Sequence, residues 1–424
     1  MELRPPRGTA DLLPPAAGEM LALYEAAHRV AELYGFAYVE TPTFEHTELF
    51  ARTSGETSDV VTKEMYTFED KGGRSLTLRP EQTASVVRAY LANAQDLPVP
   101  FKAYYVSAQF RHGRPQSGRL REFRQFGVET IGVAAAGADV EVIAVGDRFL
   151  RGWGLSDVAL LVNSIGDAAC RPAYRELLIA HLEPHASELD EDCRARLHAN
   201  PLRVLDCKVD WRKPFVLDAP MISDHLCGPC ADHFASLREG LDGAGVAYVH
   251  DPMLVRGLDY YTRTAFEFVS GALSQAQATI CGGGRYDGLA EVLGGPPTPG
   301  VGFALGLDRA LLAFRAEGAG PESPRGVACF VVAMGEEAAS AGASLVAQLR
   351  EAGVSAASAF EQRPLKAQLK MADRAGATFA AILGEREVTS GVVTLRRLAD
   401  GSQEEVALGD VVNRLAHDQG ATPR

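Results

Sequence analysis

The chain has no uninterrupted apolar run long enough to cross a bilayer, and its opening residues, MELRPPRGTADLLPP, do not have the make-up of a signal peptide. The sequence therefore predicts a cytoplasmic protein with no membrane segment. Cysteine is scarce, with seven in 424 residues, too few for a disulfide framework, so reduced thiols are expected. Positive charge is also in deficit: 42 Lys and Arg stand against 55 Asp and Glu, for a formal net charge of -13 and a pI near 5.3. That balance argues against indiscriminate binding of nucleic acid, although a local basic patch can still grip a phosphate backbone. The glycine-rich string ICGGGRYDGL lacks the G-x-G-x-x-G spacing, so no dinucleotide fold is signalled. What remains is an ordinary globular composition, 46% hydrophobic and 23% charged, with room for two or three domains.

Against this acidic background one segment reverses sign. Between Arg111 and Gln125 five arginines (Arg111, Arg114, Arg119, Arg121 and Arg124) face a single acid, Glu122. Such a concentration calls for an anionic ligand. Its flanks alternate apolar and polar residues while Gly113, Pro115, Ser117 and Gly118 interrupt the middle, which predicts two antiparallel strands joined by a long loop. Period two then sets Gln125, Gly127 and Glu129 on one face of the second strand. A Gln and a Glu facing a core are costly unless something hydrogen-bonds to them, so they read as the floor of a polar pocket. Arg111 would arrive from the neighbouring strand, and the loop arginines have the guanidinium fork that suits phosphate.

Elsewhere the patterns leave alternatives open. Residues 17–34 have the periodicity of an amphipathic helix that ends at Gly35, and a strand that follows is interrupted at Pro42. From Met65 to Tyr90 come a strand, a KGGR turn, a strand ending TLRP and a helix whose first turn holds Glu81 and Thr83. Glu81 there can cap the helix or meet an ammonium group. Residues 168–248 are helical and charged, and read as an inserted module bearing Cys193, Cys207, Cys227 and Cys230. Only Cys227 and Cys230, in CGPC, have ligand spacing. Buried small thiols are thus favoured over a zinc site, and no metal ligand is assigned. Arg256, inside an apolar run, needs a fixed anion, either Asp259 or a reacting phosphate or carboxylate. The glycines at 282–284 suggest close backbone approach at a bend. Arg309, beside glycines at a helix start, is either phosphate-binding or a surface residue.

Near residues 316 to 325 the string EGAGPESPRG reads as a linker. Beyond it strands and helices alternate as in a parallel sheet with crossover helices, then a hairpin turns at Ala399-Asp400-Gly401 before a last helix. With no catalytic constellation, this piece reads as a binding or dimerising module.

Taken together, TPTF around Pro42, FRHGRPQSGRLREFRQFGVE and GVGFALGLDRALL resemble the three motifs of the class II aminoacyl-tRNA synthetases. LVRGLDYYTRTAFE and GGGRYDGL resemble the two signatures that mark the histidyl-tRNA synthetase family within that class, and RGTADLLP is similar to its usual start. The resemblance covers essentially the whole chain. It implies an α+β fold: a catalytic domain on a class II antiparallel sheet (1–167 and 249–320), a helical insertion (168–248) that contacts the tRNA acceptor arm, and a C-terminal α/β anticodon-binding domain (326–424). The implied activity joins L-histidine to tRNA(His) through a histidyl-adenylate, using ATP and Mg2+, in a homodimer. By the same resemblance Glu81, Thr83 and Gln125 bind the α-amino group, and Glu129 and Tyr261 hold the imidazole with Tyr260 beside them. Arg111 takes the α-phosphate, Arg309 the far end of ATP with help from Arg119, and Arg256 sits between substrate carboxylate and α-phosphate.

Four positions depart from the family pattern. Gly113 replaces a glutamate expected near the adenine and the tRNA end, Gln82 a glycine, Arg124 a histidine, and Asp308 a glutamate. The alternative reading is a non-catalytic paralogue resembling the regulatory subunit of ATP phosphoribosyltransferase. The presence of residues 326–424 and an intact RGLDYY weigh against it.

Overall fold

The computed structural model describes residues 3–54, 64–113, 118–207, 209–256, 260–274, 277–321 and 326–418. Arg114, Pro115, Ser117 and Asp259 lie outside them, as does part of the expected linker. Two compact units result, Met1–Glu322 and Ser323–Arg424.

Eleven strands are described in the first unit. They are β1 (Ala37–Tyr38), β2 (Phe44–His46), β3 (Tyr66–Glu69), β4 (Ser75–Leu78), β5 (Phe101–Phe110), β6 (Glu122–Ile131), β7 (Val158–Ser164), β8 (Val249–His250), β9 (Thr262–Ser270), β10 (Thr279–Arg285) and β11 (Gly300–Gly306). Eight of them form one sheet in the order β1-β5-β6-β11-β10-β9-β7-β8, antiparallel except at the short strands β1 and β8. A second, three-stranded sheet has the order β2-β4-β3. The basic segment is the predicted hairpin, with Phe101 opposite Ile131 and Phe110 opposite Glu122.

Alternation along the central strands sorts side chains by face. Phe126 and Val128 of β6 join Phe266, Phe268 and Phe303 in one core, covered by the helices Ala16–Leu33, Ala136–Gly152 and Leu307–Ala316. Gln125, Gly127 and Glu129 take the opposite face, where Tyr105, Tyr260, Tyr261 and Tyr286 belong to a second core. The helix Gly228–Gly243 adds Phe234, Leu237 and Leu241 to the first core. The glycines at 282–284 are strand interior, not a bend. Space explains them: a Cβ on Gly282 would meet the guanidinium of Arg256.

The second unit carries β12 (Cys329–Ala333), β13 (Ala356–Ser358), β14 (Phe379–Leu383), β15 (Val392–Arg397) and β16 (Gln403–Ala407) in the order β13-β12-β14-β15-β16. The first three are parallel and the last two join antiparallel as a hairpin. Apolar cores lie on both faces of this sheet, as crossover helices require.

Candidate active site

On the polar face of the large sheet is a cavity of about 210 Å³. Glu81 and Thr83 enter it from the start of the helix Thr83–Asn93, Gln125 from β6, and Arg111 and Arg119 from the described ends of the hairpin loop. Arg256, Tyr260 and Tyr261 come from the approach to β9, and Arg309 from the helix Leu307–Ala316. With Arg124 of β6 also in the wall, five arginines thus line one opening in a protein of net charge -13.

Glu129 stands behind this wall and is fully buried. Thr83 Oγ1 donates to its Oε1 at 2.7 Å and Tyr286 OH to its Oε2 at 2.6 Å. Gly302 on the adjoining β11 leaves the carboxyl its room, because a Cβ there would collide with Oε2. Burial pushes Glu129 up to about 8 despite those two donors, with the nearby Glu81 adding to the rise. Glu81 itself is pushed up to about 7 by burial, against the Ala84 amide, which it accepts at 3.1 Å, and the charge of Arg111. Helix capping and a place in the cavity wall are therefore compatible for Glu81. Gln125 Oε1 is buried with no hydrogen-bond partner among the described residues. Two carboxyls near neutrality and one unused acceptor suit a ligand that brings N–H donors.

The arginines show the converse need. Burial draws Arg111 and Arg309 below their ordinary values, and for Arg309 the neighbouring Arg111 and Arg119 lower it further. Crowded cations of this kind are relieved by an anion. Arg111 Nε donates to Pro80 O at 2.8 Å, while Arg309 donates to Gly118 O at 2.8 Å and Thr279 O at 2.9 Å, which fixes both side chains before any ligand arrives. Arg256 differs: burial opposes its charge, but its ion pair with Glu267, together with Tyr261 and Asp206, outweighs burial and raises it.

Glu267 is thus the anion for Arg256 among the described residues, a partner that neither sequence alternative named. It was hidden because only the fold brings β9 back alongside residue 256. Tyr286 and Glu64, which pairs with Arg119, were also missed as site residues. Tyr286 lies inside GGGRYDGL, where an aromatic hydroxyl beside a glycine run was the available signal. Gln82 is explained by a buried network, donating to Thr41 Oγ1 at 3.0 Å and accepting from Gln109 Nε2 at 2.8 Å.

The four cysteines of the insertion do not form one group. Cys227 and Cys230 meet Asp167 and Cys170, whereas Cys193 and Cys207 meet Asp190 and Asp210. The reading of these cysteines as plain buried thiols did not include the aspartates: Asp190 and Asp210 each lie three residues from a cysteine, while Asp167 reaches Cys227 from 60 residues away.

Comparison with known proteins identifies the family. A family model described as histidyl-tRNA synthetase matches residues 8–310, and one described as an anticodon binding domain matches residues 328–417. The chain is 47% identical over 420 residues to a histidine–tRNA ligase of Anoxybacillus flavithermus, covering 98% of this chain and 99% of that one. To the histidine–tRNA ligase of Moorella thermoacetica it is 49% identical over 409 residues, 96% of each chain. The solved apo histidyl-tRNA synthetase of S. aureus superposes with a TM-score of 0.82 at 38% identity, covering 98% of this chain and all of that one. The chain belongs to the histidyl-tRNA synthetase family.

Proposed function

We propose that the cavity activates L-histidine with ATP and passes the histidyl group to tRNA(His), making the chain a histidine–tRNA ligase. The observation that carries this reading is the meeting of Arg111, Arg119, Arg256 and Arg309 with Glu81 and Gln125 in a single cavity. The α-ammonium of histidine fits between Glu81, Thr83 and the free acceptor of Gln125, and an imidazole N–H reaching Glu129 draws that carboxyl toward its charged form. Tyr261 and Tyr260 flank the ring. One carboxylate oxygen of histidine attacks the α-phosphorus, the bond to the bridging oxygen breaks in line, and pyrophosphate leaves. Arg111 and Arg256 neutralise the reacting phosphate, with Arg119 and Arg309 on the departing end. The terminal ribose hydroxyl of the tRNA then attacks the acyl carbon and releases AMP. Positioning and charge neutralisation suffice for such a transfer, with no protein nucleophile.

Magnesium enters in this reading with the nucleotide. No group of three metal-binding side chains lies in the cavity wall among the described residues, and Glu267, behind the wall, is engaged by Arg256 and by Thr279 Oγ1. Such a donor set fits Mg2+ held mainly by phosphates and water, where it adds to charge neutralisation.

The division into 1–167, 168–248, 249–320 and 326–424, with the last segment reading the anticodon, belongs to the same proposal, supported by the separate compact unit from Ser323 and by the anticodon-binding match. A homodimer is supported by exposed Tyr38, Phe44 and Phe68 around TPTF, the two phenylalanine rings 6.1 Å apart. Among the described residues no helix is long and apolar enough to cross a membrane, and the cytoplasm is the expected compartment for charging tRNA. The test is histidine-dependent exchange of pyrophosphate into ATP by the purified protein. Exchange without subsequent charging of tRNA(His) would limit the activity to adenylation, and no exchange would favour the regulatory-paralogue reading.

A further inference from the structure

The two cysteine clusters show a spacing rule that local reading of the sequence did not use. Each is built from two pairs, and every pair spans i to i+3: Asp167 with Cys170, Cys227 with Cys230, Asp190 with Cys193, Cys207 with Asp210. Within each cluster the four candidate ligand atoms lie within 4.8 Å of one another.

The distances separate the two. In the first cluster Cys170 Sγ is 3.8 Å from Cys230 Sγ, and Asp167 Oδ1 is 3.6 Å from Cys170 Sγ and 3.8 Å from Cys227 Sγ. A tetrahedral zinc, about 2.3 Å from sulfur and about 2.0 Å from oxygen, sets sulfurs about 3.8 Å apart and sulfur and oxygen about 3.5 Å apart. The first cluster matches that polyhedron, and its sulfur separation is far too long for a disulfide. In the second cluster Cys207 Sγ lies only 2.9 Å from Asp190 Oδ2, a hydrogen bond, while Lys213 Nζ stands 2.6 Å from Asp210 Oδ1. Both acids of that group are thus already engaged, Asp190 by Cys207 and Asp210 by Lys213 from outside the cluster.

We infer that Asp167, Cys170, Cys227 and Cys230 form a structural zinc site. Three soft sulfurs and one carboxylate oxygen select a borderline d10 ion in tetrahedral coordination. The outer shell is also in place: Asp167 Oδ2 is 3.3 Å from Arg263 Nη2, and its Oδ1 accepts from the Ala169 amide at 3.0 Å. Gly166 makes room, since a Cβ there would come within 2.6 Å of Cys170 Sγ. The ligands come from the entrance to the helix Arg171–Leu182 and from the start of the helix Gly228–Gly243. Zinc therefore ties the two ends of the helical insertion together. Arg263, at φ 51, connects the site to the segment two residues after Tyr261.

Purified full-length protein, reconstituted with zinc under a thiol reductant, tests this by metal analysis. One zinc per chain is expected, lost in Cys227→Ser/Cys230→Ser and kept in Cys193→Ser/Cys207→Ser. Two per chain, falling to one in the first variant, also supports the site and adds a second. Because the first variant can fail to fold, the wild-type protein loaded with cobalt supplies an independent reading. Tetrahedral visible bands with charge transfer of three-thiolate intensity support the assignment. Two-thiolate intensity, octahedral cobalt, absence of bound metal in the wild type, or loss of zinc from the Cys193→Ser/Cys207→Ser variant alone would overturn it.

Discussion

The guanidinium of Arg124 lies 3.1 Å from one oxygen of Asp308, and the Arg124 amide donates to the other at 2.6 Å. Both residues depart from the family pattern, a longer cation for histidine and a shorter acid for glutamate, and they depart together. Arg124→His strands Asp308, and Asp308→Glu crowds a pair only 15 to 16% exposed. Each change alone should lower the thermal midpoint, while Arg124→His/Asp308→Glu should recover much of the loss, with a coupling of about 1 kcal/mol. Calorimetry of the four proteins checks this, and simple additivity would mean that the two departures are unrelated.

The missing glutamate at 113 has a comparable answer. A Cβ on Gly113 would lie 3.1 Å from Glu64 Oε1 and 3.2 Å from Arg119 Nε, and Glu64 pairs with Arg119. The Glu64 carbonyl also accepts from the His112 amide at 2.7 Å. An acid at 113 and Glu64 would compete for one guanidinium. Gly113→Glu should therefore raise the KM for ATP by about tenfold, and adding Glu64→Ala should restore it. No rescue in initial-rate measurements would leave Gly113 without a substitute.

The raised carboxyls make stability depend on pH. Glu129 near 8 and Glu81 near 7 in the folded protein exceed the unfolded value of about 4.3, so the folded state binds more protons between those limits. Their contribution is complete below the unfolded value and is lost as pH rises toward 7 and 8. The ligand-free protein should therefore lose stability across that window, and Glu129→Gln should flatten the slope. Denaturant midpoints measured from pH 5 to 8.5 give the answer, and an unchanged slope in the variant would remove Glu129 as its source.

In the proposed reaction Arg256 carries charge to the phosphate, and Glu267 is paired with it in the structure. Arg256→Ala should slow adenylate formation by about two orders of magnitude with little change in ATP affinity. It also leaves Glu267 without its ion pair, so Arg256→Ala/Glu267→Gln is needed to separate lost catalysis from an unpaired acid. Single-turnover rates beside equilibrium ATP binding make the distinction. A normal rate would take Arg256 out of the chemistry.

The hairpin was legible because its signals are local: alternation, loop breakers and an excess of arginine within fifteen residues. Glu129 was legible as a polar residue on an apolar strand. Pairings across the fold were not. Nothing near Arg256 announces Glu267, Arg124 finds Asp308 184 residues away, and Cys170 approaches Cys230 from 60 residues upstream. The glycines of β10 misled for the same reason, since the side chains they admit arrive from other segments.

Strand β6 reaches its second neighbour, β11, only after the helical insertion and the hairpin of β9 and β10 have been made. On the ribosome that edge, which carries Phe126 and Val128, stays open through much of synthesis. Until its last sheet strand emerges, a nascent chain of this protein therefore carries an unpaired strand edge, the kind of surface through which incomplete chains aggregate.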